Sequence, residues 1–323
     1  MTLELQRSAV ACGKVILLGE HSVVYGQPAL AAGLARGLTL HATPLPDRGA
    51  AIELSVPSWA LDLRLTPDTD HPVARACLEV LTHCDGPVTG WRIDGEARIP
   101  CRAGLGSSAA LTVALARLAL GPQASAEPDL EEVVAASLVG ERVFHGTPSG
   151  LDSAVAARGG VVAFERGASG SGEPIELGAP VSLVVIPSGI PRQTGALVAG
   201  VRMRRDRLPT VIDPVIGALG QLVTRGRAAL TAGQLHVLAE LTTVAHELLS
   251  ALGVSLPELD LLCAAAVRHG ALAAKLTGAG GGGCVIALCD TRAAAQAVVT
   301  GLRAEFPALT SAPFFVEIES GQP

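Results

Sequence analysis

A glycine loop ends in two serines at 104–110 (GLGSSAA), and an Ala/Leu-rich stretch free of Gly and Pro follows to Leu120. Glycines ahead of a helix let the backbone approach an anion. The helix start adds unpaired N–H groups and the positive end of a dipole. Serine hydroxyls supply donors for phosphate and oxygen ligands for Mg2+, which keeps water and substrate phosphate in its shell. The run lacks the GxxxxGK[ST] spacing, which excludes a Walker loop. A plain loop with a serine N-cap fits the same residues.

Three further segments carry chemistry. Glu141 continues the apolar face of Val134 and Leu138 at i+3, and a carboxylate on a buried stripe needs a partner such as a metal. Asp152 lies on the next helix, past HGTPSG. Helices joined so tightly can project both acids into one space, though two exposed acids on separate surfaces fit the spacing as well. The run 275–284 (KLTGAGGGGC) holds glycines at 278 and 280–283. That is more than a two-residue hairpin turn requires. Such a loop can pack against a ligand or another backbone, or remain a flexible hairpin. At 13–26 (GKVILLGEHSVVYG), Lys14 precedes a strand and Glu20-His21 follow it, so charged groups stand at both its ends. His21 alone reads equally as a satisfied structural histidine.

These segments need a frame. The apolar run 15–18 reads as a buried strand, and 36–42, 51–56, 61–65 and 91–94 read as further strands between turn residues. Helices are expected over 72–83, 107–120 and 131–145, the last ending at Gly146. Thr147 and Pro148 predict an N-cap and an N1 proline for a third helix, running to Arg158. A turn at Gly159-Gly160 leads to strand 161–164, and 167–173 (GASGSGE) reads as a loop near a boundary. Beyond it come strand 181–186, helices 195–206, 212–229, 232–252 and 257–269, and strands 271–276 and 284–288 around the glycine loop. Helix 292–305, with Thr291 as N-cap, and strand 314–319 close the chain. With the consecutive helices taken as one layer, the order is β-α-β-β-α-β, the ferredoxin-like arrangement. A boundary near residue 179 divides the chain into 1–179 and 180–323.

Bulk composition agrees with two packed units. The 323 residues exceed one average core. Apolar residues make up 49% and aromatics only eight positions (Phe 5, Trp 2, Tyr 1), so the core is aliphatic. With 17% charged residues and a net charge of −6, disorder is excluded. The longest basic stretch, 202–207, reads as a solvated helix face and not a nucleic-acid surface. Seven scattered cysteines without a CxxC pair suit reduced thiols in a cytoplasm. The start MTLELQRSAV carries Glu4 and lacks a signal-peptide core. No apolar stretch approaches the roughly 20 residues that span a bilayer.

In order, these segments resemble the GHMP small-molecule kinases. The resemblance covers GKVILLGEHSVVYGQPAL (13–30), AGLGSSAALTVA (103–114), GERVFHGTPSGLDSAV (140–155), PRQTGALVAGVR (191–202) and KLTGAGGGGCVIAL (275–288). Within the family they look most like the branch that phosphorylates the C5 hydroxyl of mevalonate with ATP. The resemblance implies an α+β fold: a ribosomal-S5-like nucleotide-binding domain followed by a ferredoxin-like domain. It implies Asp152 as base with Lys14 beside it, and Mg2+ held by Glu141 and Ser108. Gly104, Leu105, Gly106, Ser107, Ser108 and Ala109 would line the ATP phosphate cradle. Glu20, His21 and Thr194 would face mevalonate, and Gly278 and Ala279 would close the site. The implied partners are ATP and mevalonate, without nucleic acid or membrane, and a homodimer is compatible with the family. Arg192 is a candidate cation for the substrate carboxylate. Cys12 stands where the family usually has Pro, and Arg102 where it often has Gly; Arg102 is expected to point to solvent. Phosphomevalonate kinase, homoserine kinase, a decarboxylase relative and a non-catalytic nucleotide-binding regulator are the competing readings.

Overall fold

The structure, a computed structural model, describes residues 7–121, 128–165 and 170–319. Residues 1–6, with Glu4, and residues 167–169 of the expected boundary loop lie outside the described residues.

The first layer is a seven-stranded sheet in the order β4-β3-β5-β2-β6-β7, with β1 pairing β2. Its strands are β1 (Arg7–Leu18), β2 (Ala29–Pro44), β3 (Ile52–Val56), β4 (Leu61–Leu65), β5 (Trp91–Ala97), β6 (Val161–Phe164) and β7 (Glu173–Ile175). All pairings are antiparallel except β3 with β5. β1 and β2 are much longer than the expected 15–18 and 36–42. The small residues Ala31, Ala32 and Gly33 gave no alternating signal. They are small because backbone approaches there: Gly33 N donates to Gly160 O at 2.7 Å. β7 starts at Glu173, the last residue of the expected loop 167–173, and was not expected as a strand. Pro174 fits it because the strand pairs only with β6, at the edge of the sheet.

Helices α1 (Pro72–His83), α2 (Ser107–Leu120), α3 (Leu130–His145) and α4 (Leu151–Arg158) belong to this half. The α3 start is capped by Asp129, whose carboxylate accepts from Glu132 N at 3.1 Å. α2 is apolar almost all round, with nine buried residues, because it lies among the sheet and the other helices. Alternation sorts the strand faces. In β2, Ala29 and Ala31 pack with Leu151, Ala154 and Val155 of α4, while Leu30 between them meets Gly226 further along the chain. In β1 the register shift between Ile16 and Leu18 leaves Ile16 on the first face and Leu18 on the second. One expectation fails here. Thr147 and Pro148 do not open α4; they sit in the connection, and Gly150, at φ 92°, is its N-cap.

The second sheet is four-stranded and antiparallel, in the order β11-β8-β10-β9. Its strands are β8 (Val181–Pro187), β9 (Ala273–Thr277), β10 (Cys284–Cys289) and β11 (Phe314–Ile318). In chain order that is 4-1-3-2, the ferredoxin-like topology read from the element order. Between β8 and β9 run α5 (Thr194–Arg207), α6 (Pro209–Thr231), α7 (Leu235–Ala251) and α8 (Pro257–Arg268), and α9 (Arg292–Glu305) joins β10 to β11. Thr291 caps α9 through Ala294 N at 3.1 Å, as its position led us to expect. Among the described residues no helix is long and apolar enough to cross a membrane.

Candidate active site

Lys14 and the serine-containing loop are joined by main chain. β1 carries Lys14 alongside the loop, and Lys14 N donates to Leu105 O at 2.8 Å. Gly104 and Gly106 adopt φ 82° and 73°, and Gly106 caps α2 without a side-chain bond, leaving the first N–H groups of the helix unclaimed by its cap. Gly104, Ser107 and Ser108 reach the surface, whereas Leu105, Gly106 and Ala109 are buried and shape the loop from beneath.

Across the loop lies the first turn of α4. Lys14 Nζ stands 2.8 Å from Asp152 Oδ1, with side chains 3% and 37% exposed. Burial alone would raise the Asp152 carboxyl. The Lys14 ammonium, its hydrogen bond, Arg192 and His145 outweigh that and hold it below the usual range. One helix over, Glu141 is buried. Its carboxyl is pushed up to about 7, first by burial and then by Asp152, with the Ser108 hydroxyl bond and Lys14 pulling the other way. Glu141 Oε1 is buried without a hydrogen-bond partner among the described residues. The two acids thus share one space.

His145 follows Glu141 by one turn, with Nε2 3.7 Å from Glu141 Oε2. Burial lowers its pKa, Asp152 raises it, and Lys14 and Arg192 lower it further. The sequence reading missed it; the i+4 spacing from Glu141 was the available signal.

Arg192 is the second residue that sequence could not place. Its guanidinium spans both glycine loops: a Cβ on Gly104 would lie 2.2 Å from Cζ, and one on Gly278 would lie 2.1 Å from Nη1. Both positions need glycine for this approach and for their φ of 82° and 79°. The glycine loop after β9 is ordered by packing: Gly281 N donates to Val254 O and Gly283 N to Ile190 O.

The acceptor side differs from expectation at one residue. Glu20, expected to face the substrate, is fully buried and paired with Lys275, itself fully buried. Lys275 was not singled out, although a lysine in an apolar strand was the signal. His21 Nε2 lies 2.9 Å from Ala279 O. Since a carbonyl only accepts, Nε2 carries the proton and Nδ1 is left as the ring's acceptor in the neutral form. Burial, the largest influence, lowers the His21 pKa, which favours that neutral form. Gly278 and Ala279 are thereby brought against 20–21, and Thr194 is exposed at the first position of α5.

The two departures are benign. Cys12 is buried, and burial raises its thiol pKa against the pull of Arg117, so it is an unreactive thiol. Arg102 is exposed, as expected.

Comparison with known proteins agrees with the two-part fold. Residues 72–160 match the GHMP kinases N terminal domain and residues 226–308 the GHMP kinases C terminal domain. The mevalonate kinase of Pyrococcus furiosus is 34% identical over 314 residues, covering 91% of this chain and 92% of that one. The mevalonate kinase of Candida albicans is 32% identical over 348 residues, covering 87% and 80%. The crystal structure of L. major mevalonate kinase in complex with R-mevalonate superposes with a TM-score of 0.84 at 28% identity, covering 98% and 97%.

Proposed function

The chain belongs to the GHMP kinase family, and we propose that it transfers the γ-phosphoryl group of ATP to the C5 hydroxyl of mevalonate, giving 5-phosphomevalonate and ADP. The observation that carries this reading is the Lys14–Asp152 pair, 2.8 Å apart at the mouth of a helix-terminus anion site. The identity to mevalonate kinases over most of the chain supports the acceptor.

The residues divide the work as follows. Asp152, kept ionised by Lys14, accepts the hydroxyl proton as the P–O bond forms. Lys14 offsets charge that builds on the transferred group. The N–H groups at the start of α2, with Ser107 and Ser108, hold the triphosphate. Phosphoryl transfer passes through a loose transition state, so positioning and charge neutralisation provide most of the rate. Mg2+ fits the residues present: an orphaned, buried Glu141 oxygen beside the Ser108 hydroxyl is a donor set for a hard cation. Glu141 and Ser108 would hold it, and when bound it would neutralise charge on the phosphates. Among the described residues no group of three His, Cys, Asp or Glu could hold a metal, consistent with an ion carried mainly by substrate phosphates and water. Arg192 is the cation we assign to the mevalonate carboxylate, with His21 and Thr194 on the same side. Glu20, buried against Lys275, supports the backbone that presents His21 and is not assigned a substrate contact.

The nucleotide-binding part is 1–179 and the ferredoxin-like part 180–323 in this reading. The cysteines among the described residues are all free, which supports a cytoplasmic enzyme. A homodimer is compatible with the family, and sedimentation would determine the assembly. An ADP-release assay over a panel of alcohols tests the function. Turnover with mevalonate and not with phosphomevalonate or homoserine is expected. Turnover with another acceptor alone, or ATP binding without any acceptor consumed, overturns it.

A further inference from the structure

Three buried hydroxyls form a chain through the helices beneath the site. Thr112 Oγ1 lies 2.8 Å from Ser137 Oγ, and Ser137 Oγ donates to Ser153 Oγ at 2.9 Å. None of the three residues is more than 1% exposed. They sit on three different helices, α2, α3 and α4. Thr112 is one turn past Ser108, Ser137 one turn before Glu141, and Ser153 directly follows Asp152. Each hydroxyl therefore adjoins a different residue assigned to the reaction.

An aliphatic interior could fill this space without polar atoms, and buried hydroxyls cost free energy unless bonded. Donation from Thr112 to Ser137 and on to Ser153 bonds them in one direction, from α2 to α4. Thr112 Oγ1 also lies within reach of Ser108 O and Ala109 O in its own helix, at 3.1 and 3.2 Å. Packing tightens the same spot. A Cβ on Gly140 would lie 2.6 Å from Thr112 Cγ2, so α3 is seated on α2 one residue before Glu141. α4 is the helix most in need of an external tie. It has eight residues, a glycine N-cap and no side-chain cap bond, yet Asp152 stands in its first turn. Apolar contacts tolerate sliding; hydrogen bonds between fixed partners do not.

We propose that the Thr112–Ser137–Ser153 chain is a positioning device that sets the spacing of Ser108, Glu141 and Asp152. The proposal rests on the phosphoryl-transfer reading above. None of the three touches substrate; they act through their neighbours.

Thr112 offers a clean test because its hydroxyl and its methyl can be removed separately. Thr112→Val keeps the shape and deletes the hydroxyl; Thr112→Ser keeps the hydroxyl and deletes the methyl. For each variant, and for Ser153→Ala, three quantities are measured: steady-state kinetics, thermal melting, and Mn2+ binding by electron paramagnetic resonance with a non-hydrolysable ATP analogue. Thr112→Val and Ser153→Ala should lose about tenfold or more in kcat with acceptor KM within about twofold, since small misplacements of reacting groups are costly. Thr112→Val should also bind Mn2+ with the analogue several-fold more weakly. Thr112→Ser should keep kcat within about threefold of wild type although it melts lower, because it leaves a cavity. If kcat instead follows melting temperature, with Ser worse than Val, the chain is only structural and the proposal fails. Unchanged Mn2+ binding in Thr112→Val overturns it too. The Mn2+ arm needs no acceptor, so a wild-type chain that phosphorylates no alcohol would sink the functional reading without touching this measurement.

Discussion

At Asp152 burial and a neighbouring ammonium oppose each other, and the ammonium prevails. The carboxylate therefore stays ionised well into acid, ready to accept a proton. Asp152→Asn removes that capacity while leaving the phosphate loop untouched. The expected result is a kcat loss of about 10²–10⁴-fold, with ATP-analogue affinity within about threefold by calorimetry. Glu141 is the reverse case. Its carboxyl is pushed from 4.5 up to about 7, so between those values the folded chain holds a proton that the unfolded chain has released. Stability of the ligand-free protein therefore falls as pH rises from 4.5 to about 7 and stays depressed above it. Glu141→Gln carries no such penalty. At pH 8 it should unfold at higher urea than wild type, by roughly 3 kcal/mol, while needing more Mg2+ for turnover; below pH 4.5 the stability gap should close. Equal urea midpoints at pH 8 would show that Glu141 pays no burial cost. Both acids were legible in the sequence, one from its helical face and one from its motif. His145 and Lys275 each left a local sign, the i+4 spacing from Glu141 and a lysine inside an apolar strand. That Lys275 pairs with Glu20, far away in the chain, leaves no trace in local spacing.

Elements with strong local signals were read to the residue: α1, α2, α9, β4 and β6 match their expected bounds. Each is set by a cap or an uninterrupted apolar pattern. The misses have a common cause. β2 runs through Gly33 and Gly37 and β7 contains Pro174; both survive because tertiary neighbours override local breakers. At Thr147-Pro148 a sound capping signal lost to Gly150, which can adopt the left-handed backbone that places α4. The second glycine loop was recognised as unusual, but the side chain it admits was not. That side chain is Arg192, and Gly278→Ala would drive a methyl into its guanidinium. The displaced group is the end of a flexible side chain, and the left-handed backbone at φ 79° costs alanine about 1–2 kcal/mol, so the fold should survive with a lower melting temperature while the carboxylate contact weakens. Acceptor KM should rise by about tenfold or more, the worth of a charge-assisted bond, with ATP KM little changed. A rise in ATP KM with acceptor KM little changed would place Arg192 on the triphosphate instead.

Across the whole molecule, the two sheets are held together at the site itself. Thr277 Oγ1 both accepts from Ile16 N and donates to Ile16 O, each at 2.9 Å. His21 reaches Ala279 O, and Glu20 pairs with Lys275 across 255 positions of sequence. The segment 275–279 is thereby pinned along 16–21. Separations of this size are why the strands of each sheet were mostly legible locally and their docking was not. The ferredoxin-like order was countable from successive elements; the partners at the junction were not. Glu20 and Lys275 are both fully buried, and a pair like this is a poor source of stability because desolvation offsets the attraction. Breaking it is another matter. Lys275→Met leaves a carboxylate enclosed without its cation, and should cost about 3–5 kcal/mol, read as a drop in urea midpoint. Adding Glu20→Gln removes the stranded charge, so the double variant should recover most of that loss. Activity should not recover with it, because Glu20 and Lys275 also fix the backbone on which His21 and Gly278 are presented. A double variant as unstable as Lys275→Met alone would mean that the junction depends on the lysine's packing and not on the charge pair.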